Sequence, residues 1–224
     1  MTTTPLFVSS GDLIADRRYK WAIDLAGRGD LAGAADILVQ TVELAPAFAT
    51  AWFALGTIRD ALGDRAAAVA AFERASAADT EDYHGARLQL ARLGAGAATP
   101  AMTATYVRRL FDQHAPDFDA AMLERLDYRG PQLLLDSVRA VATPPLRLGS
   151  ALDLGCGTGL GGAAFRPHVD WLVGVDLSPA MIAQARRKGL YDRLVAQDLL
   201  TFLGEKPPAR RNTISCSRPT CSSM

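Results

Sequence analysis

The sequence predicts two architectures in one chain: helical hairpins over roughly the first ninety residues, then the opening half of a parallel α/β sheet. Three observations carry this. The first part repeats itself at a spacing of about 34 residues. The stretch Gly94-Ala95-Gly96-Ala97-Ala98-Thr99-Pro100 is a small-residue linker. Beyond it, short apolar runs alternate with helical ones, and Leu152-Asp153-Leu154 breaks into glycines at alternate positions, Gly155, Gly157 and Gly159.

Shifting the sequence by about 34 places lays Arg28-Gly29-Asp30 beside Leu62-Gly63-Asp64, Ala22 beside Gly56, Leu38 beside Phe72 and Val42 beside Ser76. The small positions Gly56 and Ala67 let two helices approach, while Trp52, Leu55 and Phe72 fill the space between them. Asp30 and Asp64 each follow a glycine, as an N-cap follows the C′ residue of the preceding helix. Apolar spacing predicts helices over about 11–27, 31–44, 48–61, 65–78 and 82–93. The period is that of a tetratricopeptide repeat. Trp52, Leu55, Gly56, Gly63, Ala67, Phe72 and Ala75 resemble that family's pattern, with Arg59 where an aromatic is usual. Two repeats and a closing helix fall short of the roughly three that bury a continuous face, so this domain is expected to lean on its neighbour or on another subunit. The resemblance implies either a protein-interaction groove or an accessory domain that packs or dimerises.

After the linker, residues 106–112, 118–126 and 132–141 have helical spacing, divided by Pro116, Gly130-Pro131 and Pro144-Pro145. They form a helical bridge. Then strands and helices alternate: strand over 146–154, helix over 159–166, strand over 171–176, helix over 178–188 with Ser178 as N-cap and Pro179 at its first position, and a short strand at Leu194-Val195-Ala196. The domain boundaries follow as 11–94 for the repeats, 95–102 for the linker, 103–145 for the bridge, 146–205 for the sheet and 206–224 for a tail.

The glycine loop lies between a strand and a helix start, where main-chain N–H groups are unpaired and the helix dipole is positive. That is a nucleotide cradle. Gly157, Gly159 and Gly162 also fit the spacing of a dinucleotide fold, so further residues must decide. Asp153 precedes the first glycine by two positions. Asp176 ends the second strand, where a carboxylate can accept both ribose hydroxyls; Leu177 and Met181 offer apolar contact to an adenine, and Asp198 at the end of the third strand can meet its amino group. With Asp176-Leu177-Ser178-Pro179-Ala180-Met181, the loop resembles motif I and the segment after it in class I S-adenosylmethionine-dependent methyltransferases.

The whole arrangement resembles a group of bacterial predicted methyltransferases with N-terminal tetratricopeptide repeats, over roughly residues 15 to 205. Phe111-Asp112-Gln113-His114-Ala115-Pro116-Asp117-Phe118-Asp119 and Leu126-Asp127-Tyr128 are similar to that group's bridge. The resemblance implies a Rossmann-like sheet and S-adenosyl-L-methionine as cofactor, held by Asp153, Gly155, Cys156, Gly157, Gly159, Asp176, Leu177, Met181 and Asp198. It implies methyl transfer to an acceptor the sequence does not identify. Tyr106 could by the same resemblance help close the cofactor site, but an ordinary core role is the stronger reading. No catalytic base can be named.

The tail departs from this pattern. A fourth, apolar strand is expected after Leu203, yet Arg210 to Met224 has neither strand nor helix periodicity, and four serines and two of the chain's three cysteines fall in its last ten residues. Codons can be chosen for Arg211 to Met224 whose shifted frame reads Gln-Lys-Tyr-Asp-Leu-Val-Leu-Ala-Ala-Asp-Val-Leu-Val-Asp, an apolar strand followed by an acidic turn. The expectation is a frameshift near Ala209 or Arg210 that leaves the sheet incomplete after its third strand. Its first strand would then be an open apolar edge, and cofactor binding weak or absent.

Composition sets the remaining bounds. The mixture, 49% hydrophobic and 21% charged, is that of a globular protein. Twenty-four basic residues balance twenty-four acidic ones, which makes nucleic acid or an anionic membrane an unlikely general partner. No window approaches the roughly 20 apolar residues of a membrane span, and Met1 to Ser10 has no signal-peptide pattern, so the cytoplasm is expected. Cys156, Cys216 and Cys221 make neither a disulfide framework nor a metal motif, and His84, His114 and His168 are expected at the surface or at helix ends. Two functions remain: a methyltransferase whose repeats orient a substrate or partner, and a repeat adaptor with a vestigial catalytic domain.

Overall fold

A computed structural model describes residues 7–96, 102–142 and 145–205. The tail at 206–224 lies outside the described residues, as do most of the expected linker and Pro144. No helix among the described residues is long and apolar enough to cross a membrane.

Five helices build the first region: α1 (Leu13–Gly27), α2 (Leu31–Leu44), α3 (Ala49–Ala61), α4 (Arg65–Ala78) and α5 (Ala86–Arg92). The aspartates expected to cap α2 and α4 do so, Asp30 accepting from the Gly33 N–H at 2.9 Å and Asp64 from the Ala67 N–H at 3.1 Å. Alanine-rich faces let the helices meet closely. Ala15, Ala22, Ala34, Ala51 and Leu38 are fully buried in one cluster, and Phe72 with Ala68 centres a second. Gly56 sits directly under Phe72, where a Cβ would come within 2.7 Å of the ring. The fifth helix is shorter than its apolar spacing suggests. Asp82 (φ 52°) and Gly85 (φ 77°) take left-handed backbone, so helix starts only at Ala86. His84, expected at the surface or a helix end, stands next to the Gly85 cap of α5 and is half-buried, its ring stacked 5.6 Å from that of Phe53 and its Nε2 3.1 Å from the Thr50 hydroxyl.

The bridge comprises α6 (Ala104–His114), a 3-10 turn (Ala115–Asp117), a helical turn α7 (Phe118–Ala120), a π turn (Ala121–Arg125) and α8 (Gly130–Val141). Pro116 and Pro131, read in the sequence as dividers, stand at element boundaries, each the second residue of its element, the 3-10 turn and α8, where a proline costs no hydrogen bond.

The α/β region runs β1 (Leu148–Leu154), α9 (Leu160–Phe165), a 3-10 turn (Arg166–His168), β2 (Val169–Asp176), α10 (Pro179–Lys188), β3 (Arg193–Ala196) and α11 (Leu199–Gly204). Each strand keeps its expected place with shifted ends: β1 begins two residues late, β2 two early and β3 one early. α11 extends past the last element the periodicity marked. It starts there because the Asp198 carboxylate accepts from the Leu200 and Thr201 N–H groups, both at 3.0 Å. All pairing is parallel, in the order β1-β2-β3, with Asp153 opposite Gly174 and Asp176 opposite Ala196. Burial centres on β2 and α10, through Leu172, Val175, Met181, Ile182 and Ala185. β1 and β3 are the sheet edges among the described residues, and Leu152 and Leu154 of β1 remain 44% and 45% exposed.

Candidate cofactor site

The C-terminal ends of β1 and β2 bring the glycine loop and the acidic turn together, the position where parallel α/β sheets hold ligands. Gly155, Gly157 and Gly159 all have positive φ, at 74°, 53° and 92°. The loop can therefore turn from β1 into α9 within a few residues. A Cβ built on Gly155 or Gly157 would meet nothing within 4 Å, so the main chain there faces open space. That space is a cavity of about 1020 Å³.

Every residue assigned to the cofactor except Gly159 lines this cavity: Asp153, Gly155, Cys156, Gly157, Asp176, Leu177, Met181 and Asp198. Gly159 lies behind the loop, its Cβ position 3.0 Å from the Tyr191 ring. Asp176 locks the two halves of the cradle. One of its oxygens accepts from the Gly157 N–H at 2.8 Å and the other from the Ser178 N–H, also at 2.8 Å. A carboxylate has about four lone-pair sites, so hydroxyl donors can still be accepted. Met181 lines the cavity while only 1% exposed. Asp198 is partly engaged, since one oxygen caps α11.

Asp153 is half-buried, and burial raises its pKa above the usual carboxylate value; the Asp176 charge adds to this and a hydrogen bond from Tyr191 opposes it. Tyr191 is the residue sequence reading passes over. Its hydroxyl donates to Asp153 at 2.7 Å and accepts from the Gly162 N–H at 3.1 Å, while its ring fills the space left by Gly162 and Gly174. Burial and the Asp153 charge hold its hydroxyl protonated, as donation requires. The sequence signal was those two glycines, which need a large partner elsewhere. Cys156 is buried, and its thiol is pushed up to about 12 by burial and by Asp153 and Asp176, so it is a packing residue rather than a nucleophile.

The cavity continues away from the loop over apolar side chains of the bridge and β1, including Phe111, Phe118, Met122, Leu134, Leu148 and Leu152. Tyr106 does not line it. Its ring packs on Gly85 instead, joining the bridge to the repeat region. No cluster of three His, Cys, Asp or Glu side chains able to hold a metal occurs among the described residues.

Parts of the chain are similar to known proteins. The human methyltransferase-like protein 27 is 41% identical over 98 residues, which is 43% of this chain and 38% of that protein, so the chain spans well under half of its relative's length. Two solved structures are also similar over part of their length. A DhpI-SAH complex is 29% identical over 40% of this chain and 42% of that one, at a TM-score of 0.33. A Thermobaculum terrenum O-GlcNAc transferase mutant is 16% identical over 85% and 42%, at 0.34. Residues 151–215 match the family described as Methyltransferase domain, a match that begins within β1, spans the whole cradle and runs past Ala209.

Proposed function

We propose that residues 146–205 are the cofactor half of an S-adenosylmethionine-dependent methyltransferase acting on an acceptor yet to be identified. The observation that carries this is the juxtaposition of Asp176 with the open main chain of Gly155 and Gly157. The residues fit the group: a carboxylate for ribose hydroxyls, a glycine cradle without Cβ atoms, and apolar Leu177 and Met181 for an aromatic base. S-adenosylmethionine supplies an already electrophilic methyl group, so general acid or base help is secondary. The chain's part is then positioning. Asp176 and the loop amides orient the donor, Asp153 and Asp198 bound the ends of the cradle, and the apolar bridge excludes water. The apolar continuation of the cavity leaves room for an acceptor beside the cradle.

The finer reading concerns residues 206–224. As out-of-frame sequence they supply no fourth strand beside β1, and the 224-residue chain then binds the cofactor weakly and transfers no methyl group. The exposed Leu152 and Leu154 are what this reading requires. A second function, favoured by the two well-buried clusters of residues 15–93, is a repeat adaptor that binds a protein partner whatever the state of the catalytic half. Three cysteines in no disulfide spacing suit the cytoplasm for either.

Calorimetric titration with S-adenosylmethionine tests the set, using the 224-residue chain, its Asp176→Ala variant and a chain carrying the shifted frame. Micromolar binding to the 224-residue chain, lost in Asp176→Ala, supports the cofactor and overturns the reading of the tail. Binding only after frame restoration supports both. No binding in either overturns the cofactor reading.

A further inference from the structure

We propose that Asp112 and Asp119 of the bridge are positioning residues for the cofactor cradle, bracing the glycine loop against both ends of α10; this rests on the cofactor reading above. Asp112 stands near the end of α6. One oxygen of its carboxylate accepts from the Ser178 hydroxyl at 2.5 Å and from the Ala180 N–H at 3.1 Å. Ser178 is fully buried, and its own hydroxyl oxygen accepts from the Met181 N–H at 3.0 Å. Asp112 therefore acts as an outer cap on α10, behind Ser178, and fixes the turn that carries Asp176.

Asp119, in α7, does the same for the other half. One oxygen accepts from the Thr158 hydroxyl at 2.5 Å, and Thr158, inside the glycine loop, is 2% exposed. The other oxygen pairs with the Lys188 ammonium at 2.6 Å, on the last residue of α10. Two carboxylates on one short segment thus grip the loop, the first turn of α10 and its last residue. Those are the parts whose spacing sets the width of the cradle, since Gly157 and Asp176 face each other across it at 2.8 Å.

The brace has a fixed foot. The α6 cap residue Thr103 donates its hydroxyl to the Glu81 carbonyl at 3.2 Å, Thr105 donates to the Glu81 carboxylate at 3.2 Å, and Tyr106 covers Gly85. Asp112 is therefore held from the repeat region. A carboxylate in a mobile segment would gain little from two buried hydroxyls; one on an anchored helix can dictate where they sit.

The test pairs Asp112→Ala and Asp119→Ala with the conservative Asp112→Asn and with Lys188→Ala in the full chain. Amide hydrogen exchange is followed at 157–160 and 180–182 without cofactor, and affinity for S-adenosylhomocysteine is measured by calorimetry. Asp112→Ala is expected to speed exchange at Ala180 and Met181 and to weaken affinity about ten-fold, the effect of a buried donor left unpaired. Asp112→Asn keeps an acceptor oxygen and restores most of both. Asp119→Ala loosens Thr158 and costs similar affinity, whereas Lys188→Ala, which leaves the Thr158 bond intact, costs less. Wild-type exchange at these amides in both alanine variants overturns the proposal, as does unchanged affinity. If the parent chain binds no S-adenosylhomocysteine, as the reading of residues 206–224 expects, the affinities are compared in the chain carrying the shifted frame; no binding there overturns the cofactor reading, while the exchange pattern still decides whether the two carboxylates hold the loop.

Discussion

The repeat region closes its own core and the α/β region, among the described residues, does not. In the first, small and large residues alternate across helix faces until Phe72, Leu38 and a set of alanines reach zero exposure. In the second, one face of β2 and one face of α10 are buried, but β1 is an edge and exposes Leu152 and Leu154, while the bridge exposes Leu133 and Leu134 at 60% and 58%. The difference lies in contact range. A helical hairpin buries its stripe against a neighbour a few residues away in the chain; a strand needs partners on both sides, which sequence neighbours cannot supply.

A matched pair of truncations breaks or sharpens that contrast. Phe72→Ala removes a fully buried ring between α3 and α4 and should cost about 3–5 kcal/mol. Leu152→Ala, at a side chain 44% exposed, should cost about 1 kcal/mol or less. Urea unfolding followed by circular dichroism reads both; equal costs would mean that β1 is covered in solution. The same exposure makes Leu152→Lys expected to reduce self-association without lowering the urea midpoint, checked by light scattering.

Tyr191 tests the α/β region where it is well packed. Tyr191→Phe keeps the ring over Gly162 and Gly174 but takes a hydrogen bond from Asp153 and an acceptor from the Gly162 N–H. About 1–3 kcal/mol of local stability should be lost, seen as faster exchange at Gly162 and in α9. Unchanged exchange there would show that the ring alone holds the loop against β2.

These tests also mark what the sequence could tell. The helices of the repeat region are legible because their cause is local: spacing of apolar residues, glycine then aspartate at the α1–α2 and α3–α4 turns, and small residues opposite large ones. α5 is misread for a local reason too, since Asp82 takes left-handed backbone that residue type alone does not announce. At the cradle, the glycine loop, Asp176 and Ser178 are legible as a motif. Asp112, Asp119 and Tyr191 are not, because each meets its partner across 38 or more positions of chain, at Ser178, Thr158 and Asp153. Such contacts depend on how the bridge lies against the sheet. Tyr106, for which a packing role is the stronger sequence reading, covers Gly85 of the repeat region.

The smallest expected effect separates the two regions by sign. Burial lowers the pKa of His84, with Asp79 opposing, so the fold favours its neutral form. Its stabilising contribution is present above the unfolded value of about 6.5 and is lost as the pH falls from there toward the lowered folded value. Burial raises the pKa of Asp153, so the fold favours the protonated acid, and that contribution is present at low pH and lost as the pH rises through the raised value. Acidification from neutrality should therefore loosen the region around Thr50, Phe53 and His84 while tightening that around Asp153 and Gly162, each by under about 1 kcal/mol. Exchange protection followed from pH 7 down to pH 4, corrected for intrinsic rates, measures the two together. His84→Gln should flatten the first response and leave the second. A common loss of protection in both regions would mean that they unfold as one unit, joined through α6, and that the contrast between a closed and an open core does not extend to their stability.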